Sequence, residues 1–245
     1  MKKISTLLAS FVLIFALITG CSQSSNNNSN TDKNTNTNQS ENTLTKETPL
    51  EVLKKAVEVS KNVKGYKYTS KKSQNSEQTS ETGEEQYNPQ IAHFKTADGI
   101  EYYYDKQNIY KSTDGKTWEK SANSSGNVLL TNGFLKLANQ LVTAMGDKDT
   151  IDGVTLKKES DTYIITVDKK VYKDPDLSAE EFAAIKKLAS VAKSELTFDA
   201  KTFEIKKYTF ELTGEENGEK FNRTQEVELS SYSTPITIPD NVKNS

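Results

Sequence analysis

Hydrophobic and polar positions change their period several times along this 245-residue chain. An apolar run from Leu7 to Ile18, broken only by Ser10, follows Lys2 and Lys3. The run is too short to span a bilayer as a helix and reads as a cleavable leader over residues 1–20. The apolar signal then vanishes. From Ser22 to Glu47 the chain is mainly Asn, Ser, Thr and Gln with one large apolar residue, Leu44. Such a stretch cannot bury enough surface to offset its ordering entropy, so 21–47 is expected to be a disordered tether. As flexible coil it spans roughly 28 Å, enough to lift a domain off a lipid surface.

Helical period begins at Thr48-Pro49-Leu50-Glu51, a capping box with Pro at the first helical position. Leu50, Leu53, Ala56, Val57, Ser60 and Val63 then predict a helix over 49–64, with Gly65 closing it in the left-handed conformation. From Tyr66 to Lys120 the period is two. Short strands are predicted at 66–70, 78–86, 91–96, 100–105, 108–112 and 117–120, between turn signals such as Asp98-Gly99 and Asp114-Gly115. The strand at 78–86 lacks an apolar face and reads as an edge or solvated strand.

A second helix is predicted over 127–145. Its apolar residues, among them Phe134, Leu137 and Leu141, are too many for one narrow stripe. Strands follow at 154–159 and 162–168. The capping box Ser178-Ala179-Glu180-Glu181 starts a third helix over 179–193. The last strands are 195–199, 202–213 and 219–231. In the second of these the apolar phase slips from Phe203 and Ile205 to Tyr208, Phe210 and Leu212, which a β-bulge near Lys206-Lys207 would repair. Pro235 and Pro239 end the sheet.

There is no second linker and no βαβ alternation, so 48–245 is expected to form one α+β domain. The expected architecture is an antiparallel meander curled into an unclosed half-barrel, with about three helices on its concave side.

Composition adds a location. Cys21 is the only cysteine and follows Ile18-Thr19-Gly20 at the end of the leader. This resembles the lipobox of bacterial lipoproteins. The resemblance implies a diacylglyceryl thioether on Cys21, cleavage before it, and a chain anchored on the outer leaflet of the cell membrane. Once Cys21 carries lipid, no cysteine remains for a disulfide, a zinc site or a thiol nucleophile. Without Lys2 and Lys3 the chain has 30 basic residues against 34 acidic ones. That balance argues against nucleic acid as a partner and gives no polybasic membrane contact, so the lipid must do the anchoring.

Tyr104-Asp105, Ile109-Tyr110-Lys111, Asp114-Gly115-Lys116 and Trp118-Glu119-Lys120 resemble the repeated strand pair of Gram-positive lipoproteins of the LolA/LppX type. The leader, tether and first helix agree with that likeness, which covers about Pro49 to Pro239. It implies an unclosed β-barrel over inserted helices that holds acyl chains or a lipid. It carries over no functional residue.

Residues that bear chemistry are sparse. His93 is the only histidine and sits in a strand without a partner motif. Ser190-Val191-Ala192-Lys193 matches S-x-x-K, but no K-T-G accompanies it. Asp147, Asp149 and Asp152-Gly153 sit out of register for a calcium loop and read as a helix-to-strand turn. Asp174, Asp176, Glu180 and Glu181 read as favourable charge at a helix N-terminus. No enzyme activity, cofactor or metal is expected. The candidate ligand-lining residues are Phe134, Leu137, Leu141 and Arg223. The helix residues either line a cavity or simply fill the sheet. Arg223, the only arginine, either meets an anionic headgroup at a cavity mouth or is solvated on an edge strand. Two functions follow: a monomeric lipoprotein that binds a lipid or other hydrophobic ligand in a sheet–helix cleft, or an interaction or sensory module of the cell-wall zone with a filled core.

Overall fold

A computed structural model describes residues 47–124, 129–231 and 234–245. The leader, Cys21 and the tether up to residue 46 lie outside the described residues. Ordered contacts begin one residue before the expected start: the Tyr163 hydroxyl donates to the Glu47 carboxylate, and Lys55 pairs with Glu47 at 3.6 Å.

The elements run α1 (Pro49–Ser60), β1 (Gly65–Gln74), β2 (Glu77–Tyr87), β3 (Gln90–Thr96), β4 (Glu101–Asp105), β5 (Asn108–Ser112), β6 (Glu119–Ala122), α2 (Thr131–Met145), β7 (Val154–Glu159), β8 (Thr162–Asp168), α3 (Ala179–Leu188), β9 (Ala189–Asp199), β10 (Ile205–Glu216), β11 (Glu219–Ser231) and α4 (Asp240–Lys243). All eleven strands form one antiparallel sheet in the order β6-β5-β4-β3-β2-β1-β11-β10-β9-β8-β7. Two meanders are therefore joined at β1 and β11, where Tyr68 faces Leu229 and Ser70 faces Val227. The outermost strands, β6 and β7, do not pair with each other, so the barrel is unclosed.

Local chemistry explains most boundaries. Both predicted capping boxes form: the Glu51 N–H donates to Thr48 Oγ1 at 3.3 Å, and the Glu181 N–H donates to Ser178 Oγ at 3.2 Å. The first helix ends at Ser60, and Gly65 opens β1 instead of closing the helix. The third helix stops at Leu188 rather than 193. Ala189 turns extended there because 189–193 pairs with β10, Ala192 opposite Leu212 and Lys193 opposite Glu211. The bulge lies where the phase slip put it: Ile205 faces Phe198 and Lys207 faces Thr197, leaving Lys206 as the extra residue. The strand at 78–86 is not an edge; β2 lies between β1 and β3.

One sheet face packs against α1 and α2. Tyr66, Tyr163, Ile165, Leu196, Phe198 and Val227 meet Val52 and Leu53 of α1 and Leu141 and Met145 of α2, all at most 2% exposed. Each such side chain contributes roughly 1.5–3 kcal/mol through burial. The second helix lacks a side-chain cap of its own. Glu85 of β2 supplies it, accepting from the N–H groups of Leu130 and Thr131 and from the Thr131 hydroxyl at 2.6 Å. No described helix is long and apolar enough to cross a membrane.

The opposite face is wet over the central strands, where Lys207 pairs with Glu226 at 2.7 Å. Over β3–β5 it is covered by the C-terminal segment after Pro235. The Ile236 N–H donates to Gln86 Oε1 at 2.7 Å, and Ile238 and Val242 pack on Tyr110, with Ile91, Tyr103 and Trp118 around them.

Candidate ligand site

Beyond the reach of the core, the helix-bearing face carries polar side chains in cross-strand rows. Ser70, Glu81 and Thr96 form one row through β1, β2 and β3, and Lys72 and Thr79 form the next. These rows floor a cleft of about 470 Å³ that also takes in Tyr102 and the β3–β4 turn at Ala97 and Asp98. The turn is held down by the Ala97 N–H, which donates to the Ser80 carbonyl at 2.8 Å. Lys72 Nζ reaches Glu81 Oε1 at 3.4 Å. Phe94 stacks on Tyr102 with ring centroids 4.8 Å apart. Gly83 lets the strands come this close: a Cβ there would sit 2.8 Å from the Tyr68 ring and 2.6 Å from Phe94 Cβ. Ser70 is fully buried at the cleft floor, and its hydroxyl has no hydrogen-bond partner. A buried hydroxyl left unpaired costs about 1–3 kcal/mol.

Arg223 lies on the same face, opposite Leu212 on β10 and Gln74 on β1. Its strand is in the middle of the sheet and the residue is 6% exposed, so the solvated-edge expectation is corrected. The register that pairs β11 with β1 removes it from solvent. No described carboxylate pairs with it, and burial pushes the guanidinium below its ordinary pKa. It remains a cation, because arginine keeps its proton in proteins. Gln225, two residues along, is equally buried and faces Lys72 of the cleft.

Phe134, Leu137 and Leu141 are placed in the packed core, at 4%, 6% and 0% exposure. Phe134 stacks on Tyr208 at 4.2 Å. None of the three lines the cleft over β1–β4. Of the four proposed ligand contacts, the fold therefore groups three as core and sets Arg223 apart, buried beside Leu212.

The other candidates have partners of their own. His93 is on the opposite face, with Nε2 2.7 Å from Glu101, Nδ1 3.6 Å from Glu84 and its ring stacked on Tyr103 at 4.2 Å. Ser190 falls at a register irregularity of β9, between Ala189 opposite Gly214 and Val191 opposite Thr213. Ser190 bonds to Thr213, and Lys193 pairs with Glu195 and Glu211. Asp174 pairs with Lys169 at 3.1 Å and Asp176 with Lys136 at 2.7 Å, so only Glu180 and Glu181 act at the helix start. Among the described residues no three His, Cys, Asp or Glu side chains gather as a metal site.

Lys72, Thr79, Glu81 and Thr96 were not singled out in the sequence. Their one signal is negative: a strand without an apolar face beside an aromatic strand.

No family model and no curated protein matches the chain. Among solved structures, an uncharacterised conserved protein from Thermus thermophilus is similar over 78% of this chain and 94% of its own, with 8% identity and a TM-score of 0.38. A chain of the Pseudomonas aeruginosa MucA/MucB complex is similar over 77% of this chain and 58% of its own, with 16% identity and a TM-score of 0.40. Likenesses this distant carry no functional argument, so the reading rests on the residues above.

Proposed function

We propose that the chain is a lipid-anchored extracytoplasmic binding protein, held to the outer leaflet through Cys21, whose domain takes an amphipathic lipid or other hydrophobic ligand beside Arg223 on the helix-bearing face. The observation that carries this reading is Arg223: a central-strand cation, 6% exposed, without a described counterion. A buried charge left unpaired is expensive, whereas a carboxylate or phosphate against a guanidinium forms strong, paired hydrogen bonds. Phe221, two residues before Arg223 on the same strand face and half-buried, provides apolar surface for the rest of such a molecule.

The test is native mass spectrometry of the full chain gently released from membranes, followed by lipid extraction. The wild type is expected to carry an anionic amphiphile, and Arg223→Gln to lose at least nine-tenths of it. Absence of any adduct, together with no retention of a fluorescent fatty acid, would overturn the ligand reading. Anchoring is tested separately: Cys21→Ala should abolish incorporation of labelled fatty acid. A second reading, an interaction or sensory module without a small ligand, is favoured by the continuous packing of Phe134, Leu137 and Leu141. It predicts a protein partner in cross-linking and no adduct.

A further inference from the structure

The cleft over β1–β4 differs in chemistry from the Arg223 flank and supports an inference independent of it. Its ionisable lining is Lys72, Glu81 and Asp98, one cation against two anions, and the cation is already paired with Glu81 at 3.4 Å. An anion entering the cleft would meet net negative charge and compete with Glu81 for Lys72. An apolar chain would cover Lys72, Thr79 and Glu81 without pairing them, and each polar group so buried costs roughly 1–3 kcal/mol. A neutral ligand rich in hydroxyls fits both limits.

We propose that this cleft is a binding site for a neutral saccharide. Each part of the lining has a matching role. Threonine hydroxyls donate and accept, as sugar hydroxyls do, so Thr79 pairs with them in either sense. Glu81 and Asp98 accept from ligand hydroxyls. Ser70 lies beneath them, fully buried with its hydroxyl unpartnered. Tyr102, half-buried and backed by Phe94 at 4.8 Å, provides a fixed aromatic surface for the C–H groups of a sugar ring. A volume of about 470 Å³ lies within the range of roughly 300–1,000 Å³ usual for small-ligand sites. The saccharide could be a free glycan outside the cell or the sugar headgroup of a membrane glycolipid; the chemistry is shared.

Saturation-transfer difference NMR on the full chain, in a detergent without a sugar headgroup, tests this. The probes are cellobiose, glucose 6-phosphate as an anionic counterpart, and monoglucosyl diacylglycerol in mixed micelles. Saturation is expected to reach the sugar protons of cellobiose, of the glycolipid, or of both. Transfer to cellobiose identifies a free glycan as sufficient, and transfer to the glycolipid alone identifies the headgroup. Glucose 6-phosphate should bind at least fivefold more weakly than the neutral probe. Tyr102→Ala should weaken binding about tenfold. Thr79→Val, an exposed and near-isosteric change, should weaken it severalfold, which keeps the test valid if the tyrosine variant misfolds. Arg223→Gln should leave it unchanged, which separates this site from the amphiphile site. No transfer to either neutral probe, tighter binding of the phosphate, or unchanged affinity in Thr79→Val would overturn the proposal.

Discussion

The two meanders that meet at β1 and β11 are similar in strand chemistry and unlike in burial. In β8 and β9 buried and half-buried side chains alternate almost without a break, with Tyr163, Ile165, Val167, Leu196 and Phe198 under the helices. In β4 all five residues are half-buried. The contrast follows from what lies on each face. The first pair of strands has helices on one side and mostly water on the other. The β4 strand has Leu129 and Tyr87 near Tyr104 on one side and the C-terminal segment around Tyr103 on the other. A sheet strand reports its burial by alternation only where one face is dry and the other wet. The same difference puts the densest core under β8 and β9 and the cleft over β1–β4.

The largest test of this contrast is in the covered half. Leu141 is fully buried between helix and sheet. Leu141→Ala should cost about 2–5 kcal/mol in chemical denaturation and leave ligand retention per folded molecule unchanged. If retention of a fatty-acid probe falls while stability holds, the core is an open cavity and the division between halves is wrong.

The joint between the halves should respond to pH. Glu85 reaches from β2 to the start of α2 and is 1% exposed. Burial pushes its carboxyl up to about 7 from 4.5, against the hydrogen bonds from Thr131 and Leu130 that favour the charged form. For an acid raised in the folded state, stability is fully present below the unfolded value and is lost as pH rises towards the folded one. Between pH 4.5 and 7 this group should therefore remove about 3 kcal/mol. Other carboxylates titrate in the same window, so the measurement is the difference between urea-denaturation curves of wild type and Glu85→Gln. That difference should change with pH through the window and level off above it. A pH-independent difference would mean that Glu85 stays charged in both states.

Much of the fold is legible in the sequence, for local reasons. The strands 108–112, 154–159, 162–168 and 219–231 begin and end where turn residues and alternation put them. Both capping boxes and the bulge at Lys206 follow from short-range chemistry. What escaped is non-local. The pairing of β1 with β11 joins the first strand of the chain to the last, and it turns Arg223 from an edge residue into a buried one. The end of the third helix is decided by β10, a later strand that recruits Ala189–Lys193 into the sheet. The cleft was hidden because it is polar: Lys72, Thr79, Glu81 and Thr96 look like solvated positions until neighbouring strands bring them together. The C-terminal segment was hidden because Ile236, Ile238 and Val242 are too few to show a period.

That segment provides the next test, on the partly covered half. Val242 is 1% exposed against Tyr110. Val242→Ala should cost about 1–2 kcal/mol, less than the core leucine, because it removes fewer buried atoms. Trp118 packs at the rim of the same cluster, 5.4 Å from Tyr103, and is the only tryptophan. Its emission should shift to longer wavelength in the variant at temperatures where circular dichroism still shows a folded sheet. Loss of the tryptophan signal only together with global unfolding would show that the segment is integral to the core rather than a separate cover.

The smallest effect is expected on the wet face of the central strands, where the ion pair between Lys207 and Glu226 has short geometry and open surroundings. The pair is 2.7 Å apart, with side chains 34% and 39% exposed. Lys207 holds the Glu226 carboxyl below its ordinary pKa, chiefly through the hydrogen bond. In water of high dielectric, with two flexible side chains to order, such a pair contributes about 0–1 kcal/mol. A double-mutant cycle with Lys207→Ala and Glu226→Ala should give a coupling of about 0.5 kcal/mol at low salt. That coupling should shrink towards zero at about 1 M salt, where screening acts over about 3 Å. The cost of Val242→Ala, which is apolar, should not shrink with salt. A coupling above about 1.5 kcal/mol that survives such salt would show the central strands' outer face to be drier than this sheet makes it.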